Sequence, residues 1–259
     1  MSRFSNLELN SHSEDEHFGQ EKEVVKDEAY FMAEAQAACE QGDFEHALRA
    51  YARVLEYNSQ NPAAWTGQVR MRIELGEFHE AKVWADKALE RFAHEPELLA
   101  AKAVALGRTG DLEAALAFSD AAFEERGDTP YIWLARGDVL LAREEPRADF
   151  CFQKALALAP ANWFFHWLAS RIHFYYQKFA LALKHAQQAL ALDASQAMVW
   201  VQVGLAQEAL GMITPARTSI EQALQLNPRC QAAEHALAEL AESGLWPQLR
   251  GWGRRLFSR

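Results

Sequence analysis

Between residues 197 and 230 the chain reads AMVWVQVGLAQEALGMITPARTSIEQALQLNPRC, and its apolar positions recur at helical spacing in two runs, 197–210 and 213–226. Gly211 separates the runs and Asn227-Pro228 closes the second, so the pattern predicts a hairpin of two helices. The same pattern recurs upstream. Alanine returns at Ala47, Ala81, Ala115, Ala148, Ala182 and Ala216, in steps of 34, 34, 33, 34 and 34 residues. A second column, Val54, Ala88, Ala122, Ala155, Ala189 and Ala223, keeps the same step. Small side chains at a fixed period mark places where the second helix of each hairpin must approach the first closely. A lone hairpin cannot bury its own apolar face, so the copies must stack on one another.

Turn residues punctuate this pattern. Gly42, Gly76, Gly110 and Gly211 end first helices, where a left-handed cap favours glycine. Asp43 and Asp111 are placed to cap the helices that follow, and Asn61-Pro62 and Thr129-Pro130 read as an N-cap followed by proline at the first helical position. Repeats are predicted at about 29–61, 62–95, 96–129, 130–162, 163–196 and 197–230, followed by a capping helix at 231–242. The first repeat places its helices near 29–41 and 44–57. The single step of 33 comes from a shortened turn, Arg143-Glu144-Glu145-Pro146. Residues 1–28, polar and acidic without sustained periodicity, read as a flexible lead, and 243–259 as a separate basic tail.

Trp200, Gly204, Ala216, Ile220, Ala223 and Pro228 supply a bulky wedge, small contact residues, an apolar plug and a terminator at set intervals. This arrangement resembles the tetratricopeptide repeat, with Val203, Gln207 and Ile220 standing where that pattern has Leu, Tyr and Phe. Trp65 and Trp133 repeat the wedge, while Leu99 and His166 replace it. The resemblance covers about four-fifths of the chain. It implies an all-α, right-handed α-solenoid of six such units, with the first helix of each pair lining a concave face that receives peptides or helices of other proteins. On that basis the inner face would present Tyr131, Leu134 and Asp138, then Phe164, Trp167, Arg171, Phe174 and Tyr175, then Met198, Val201 and Leu205. An apolar segment of a partner is expected to dock there, across repeats four to six.

Repeat five departs furthest from the pattern. Its first helix, NWFFHWLASRIHFYYQKF, carries aromatic residues well beyond the stripe of about 100° that an amphipathic helix needs. Something must cover the surplus: either these rings pack between neighbouring helices, or a subset lines the trough.

Charge narrows the choice of partners. The formal net charge is −10, divided between +4 in the Arg-rich tail and −14 in the remainder. An acidic body repels phosphate, which argues against nucleic acid as a partner of the solenoid. In the tail, SGLWPQLRGWGRRLFSR, a helix would set Leu245, Leu249, Trp252 and Leu256 on one face with Trp246 and Phe257 alongside and Arg250 and Arg254 largely elsewhere, Arg255 being a further candidate docking residue. It admits three readings: a cap over the open end of the solenoid, a shallow insertion into an anionic membrane surface, or docking on a partner. The three cysteines, Cys39, Cys151 and Cys230, are odd in number and far apart, which favours buried thiols and a cytoplasmic setting. No phosphate loop, metal-binding motif or paired nucleophile and base is present, and no cofactor is expected. His166, Ser170 and His173 share a helical face but lack a neighbouring carboxylate to orient them, so they read as packing. The expected function is a non-catalytic scaffold or adaptor that binds another protein, with a membrane-bound adaptor held by its tail as the alternative.

Overall fold

A computed structural model describes residues 26–241 apart from Arg126. Twelve helices follow one another in this part of the chain: α1 Glu28–Glu40, α2 Phe44–Tyr57, α3 Pro62–Glu74, α4 Phe78–Leu89, α5 Pro96–Arg108, α6 Leu112–Glu124, α7 Pro130–Ala142, α8 Ala148–Leu158, α9 Trp163–Tyr175, α10 Phe179–Leu192, α11 Ala197–Ala209 and α12 Ile213–Leu226. A further helical stretch occupies 231–241.

The boundaries lie where side-chain chemistry can satisfy free backbone groups. Asp43 accepts a hydrogen bond from the amide of His46 at 2.9 Å, Asn61 from Ala64 at 3.0 Å and Asp111 from Ala114 at 3.3 Å. Gly42, Gly76, Gly110 and Gly211 all take positive φ, from 74° to 90°. In the hairpins α7–α8 and α9–α10, Glu144 and Gln177 occupy the same left-handed position at φ 57°. Local strain of about 1–2 kcal/mol is tolerated there because the surrounding hairpin dictates the turn.

Helices pair as α1 with α2, α3 with α4, and so on to α11 with α12. Every residue of the two small-residue columns is sealed in these pairs, at no more than 1 % exposure. At Gly204 a Cβ would fall 2.4 Å from Ile220 Cδ1, and at Gly137 2.9 Å from the Phe152 ring, so glycine is what lets those helices meet. The tryptophan wedges also hold loops. Trp65 Nε1 donates to the Ser59 carbonyl at 3.0 Å and Trp200 Nε1 to the Ala194 carbonyl at 2.8 Å.

Two features depart from an evenly curved, open trough. The junction between α8 and α9 is the sparsest between consecutive helices. It follows the hairpin with the shortened turn and is bridged by side chains, with the Phe152 ring 4.3 Å from that of His173. Beyond it, the stack curls back onto its own beginning. Phe44 on α2 stacks on Trp167 of α9 at 6.1 Å, Phe78 on α4 meets Tyr175 edge-on at 5.8 Å, and Arg171 Nε reaches Glu74 Oε2 at 2.7 Å across 97 residues. A Cβ on Gly42 would lie 2.7 Å from Met198 Cε on α11. One apolar cluster accordingly joins Ala35, Phe44 and Val54 to Leu134, Phe164, Trp167 and Val199. The surplus aromatics of α9 are shared out: Phe44 of α2 covers Trp167, Phe179 of α10 meets Phe174, and Phe78 of α4 meets the still exposed Tyr175, an outcome that spacing along the chain does not reveal.

The three thiols are buried and unbridged. Burial pushes the Cys39 thiol up to about 11, with Arg70 opposing, so it stays protonated at neutral pH. Among the described residues no helix is long and apolar enough to cross a membrane.

Candidate inner cavity

Closure leaves a cavity of about 450 Å³ inside the curl, walled by the end of α3 and its turn, the start of α4, and α5, α7, α9 and α11. Its wall is mainly apolar and aromatic: Ile73, Phe78, Tyr131, Leu134, Leu168, Phe174 and Leu205 among others. Tyr175, 45 % exposed, also lines it, so the cavity opens to solvent on that side.

The polar groups of the wall come from successive first helices. Asp138 on α7 accepts from Arg108 Nε at 2.9 Å, from Arg108 Nη2 at 2.6 Å and from the Tyr176 hydroxyl at 2.7 Å. Arg108 lies 3.4 Å over the Tyr175 ring, and Arg70 3.9 Å over the Tyr131 ring. Burial by itself lowers the pKa of Arg108, but the Asp138 carboxylate outweighs it and the guanidinium is held charged. Burial, reinforced by Asp138, raises the pKa of Tyr176, so the phenol keeps its proton and donates it. Burial raises Tyr131 as well, against the opposing effect of Arg70. Both arginines of the wall have a carboxylate partner, Asp138 for Arg108 and Glu74 for Arg171, and Arg70, outside the wall, has Glu97 at 4.0 Å.

Of the inner-face residues expected from the repeat pattern, Tyr131, Leu134, Asp138, Arg171, Phe174, Tyr175 and Leu205 line this cavity. Phe164, Trp167, Met198 and Val201 do not. Trp167 is fully buried against Phe44, Phe164 and Val201 are 6 % and 2 % exposed, and Met198 packs against Gly42 and the Cys230 sulfur. Those four residues are packed within the stack, while the other seven line a space shared with repeats two and three. Sequence reasoning missed Glu74, Phe78, Arg108 and Gln202, all of which line it. Gln202 could have been noticed as a lone polar side chain in the run MVWVQVGLA. The tail residues Trp246, Leu249, Arg250, Trp252, Arg254, Arg255 and Phe257, together with most of the acidic lead, lie outside the described residues. Among the described residues no group of three or more His, Cys, Asp or Glu side chains could hold a metal ion.

The class this geometry defines is a helical-hairpin solenoid wound round an internal cavity. The sequence matches the tetratricopeptide repeat over residues 8–162 and again over 198–230, and the chain belongs to that family. No curated protein sequence matches it. Solved structures share its fold at low identity. A tetratricopeptide repeat protein from Parabacteroides merdae superposes with a TM-score of 0.53 at 16 % identity, over 83 % of this chain and 84 % of the other. The Cut9 and Hcn1 hetero-tetramer of the APC/C gives 0.50 at 16 %, over 83 % of this chain but only 43 % of that one. Human IFIT1, solved as a dimer with PPP-AAAA, gives 0.50 at 18 %, over 89 % and 60 %.

Proposed function

We propose that the protein is a non-catalytic scaffold that holds a short segment of another protein in its inner cavity. The observation that carries this reading is the cavity itself, an apolar, aromatic recess of a size typical of ligand pockets, with a few fixed polar groups on its wall. A helix about 10–12 Å across fills on the order of 500 Å³ per turn. The cavity therefore suits about one turn, or a similar length of extended chain, rather than a long helix laid in an open trough.

Leu205 is partly exposed on α11 and lines the cavity, so Leu205→Trp would fill space without opening a void. Partners captured by the wild-type chain from a native extract should be lost by Leu205→Trp, while circular dichroism and thermal midpoint stay close to wild type. Equal capture by a folded Leu205→Trp protein would overturn the reading. Trp167→Ala is unsuitable for this purpose, because Trp167 is fully buried and its loss would report on folding.

A further inference from the structure

Gln202 on α11 is 4 % exposed, lines the cavity, and has a buried Nε2 with no hydrogen-bond acceptor. The contrast with Gln68 on α3 is direct: its Nε2 donates to the Leu48 carbonyl at 2.7 Å and its Oε1 accepts from Arg72 at 2.6 Å. A buried amide left unpaired is costly, and replacing it by an apolar side chain of similar shape is ordinarily neutral or stabilising. A carboxamide unpaired within the fold and set on the wall of a recess can be satisfied by a group that enters from outside. Its last torsion is broad and roughly two-fold, so a half-turn presents either the N–H or the C=O to the cavity.

The rest of the wall limits what that partner can be. On the wall Arg108 is opposed by Asp138 and Arg171 by Glu74, so it carries no surplus charge to neutralise an ionic ligand. An acidic or basic group entering here would have to break a buried or half-buried pair, leaving a charge uncompensated. Leu134, Leu168, Phe174 and Leu205 offer apolar surface instead. A main-chain amide is the uncharged group that both donates and accepts, as a carboxamide does. We propose that the cavity takes an aliphatic or aromatic side chain of a partner peptide, with the adjoining main-chain amide hydrogen-bonded to Gln202, and rejects acidic and basic side chains. This rests on the scaffold reading and gives it a ligand class.

The test uses the full chain as bait for a random phage-displayed dodecapeptide library, followed by fluorescence anisotropy of a selected peptide. Selected sequences should share an uncharged apolar anchor, and changing that anchor to Asp or Lys should abolish binding. Gln202→Leu, and Gln202→Met as a second variant, should weaken the peptide about tenfold while the thermal midpoint holds or rises. N-methylation of the main-chain amide at the anchor should weaken binding to the wild type and have little effect on Gln202→Met. Selection of peptides with charged anchors, of none above a bait-free control, or of peptides bound equally by wild type and both Gln202 variants would overturn the proposal. If Leu205→Trp abolishes peptide binding while the Gln202 variants leave it unchanged, the scaffold reading stands and this inference alone falls.

Discussion

Asp138 is 2 % exposed and accepts three hydrogen bonds, two from Arg108 and one from Tyr176. Removing it strands a buried guanidinium and a partly buried phenol, so the loss is governed by desolvation rather than by the strength of the pair. Asp138→Ala should cost about 3–5 kcal/mol in urea unfolding, whereas Arg108→Met combined with Asp138→Leu should come close to neutral. A single-variant loss below about 1 kcal/mol would mean that water reaches the pair. Asp138 was legible as an inner-face residue from the repeat pattern alone. Its partner was legible in principle, because Arg108 lies 30 residues upstream, one repeat less one helical turn. The link between Arg171 and Glu74 was not legible, since no local spacing encodes a contact across 97 residues.

At the scale of an element, α9 shows what an aberrant repeat can hold. His166 stands in the wedge column and His173 one face-repeat further on, and both rings gather round His185 of α10, at 6.4 Å and 5.0 Å between centroids. Burial lowers all three pKa values. His185 falls to about 4, with His173, His166 and Lys184 adding to the effect of burial. Asp149 and Asp138 oppose the shift at His173 without overcoming burial. The folded-state value lies below the unfolded value near 6.5, so between the two the unfolded chain binds more protons. Stability is then complete above pH 6.5 and declines as pH falls toward 4, by about 3 kcal/mol for His185 alone. Urea midpoints at pH 7, 5.5 and 4.5 should show a steeper decline for the wild type than for His185→Phe. Parallel curves would remove the histidines as the cause. The sequence announced the helix, but not the trio, because His185 comes from another helix, nor the left-handed backbone at Glu144 and Gln177, which lack the expected glycine.

At the scale of the whole molecule, the repeat length was plain from the alanine columns, but the curl was not, because curvature accumulates from small rotations at each junction and the junction between α8 and α9 is irregular. The consequence is energetic. In an open solenoid each repeat leans only on its neighbours, and a defect in the first hairpin would loosen the second and little else. Here Phe44 packs on Trp167, and the first hairpin shares a core with the fifth. Phe44→Ala should therefore open a cavity worth about 3–5 kcal/mol, and hydrogen exchange should accelerate in α9 as well as in α1 and α2. Amides of α5, whose buried apolar side chains belong to other clusters, should keep their protection. If exchange quickens only in α1 to α3 and α9 remains protected, the two ends do not support each other in solution, and the cavity they enclose would be an open trough.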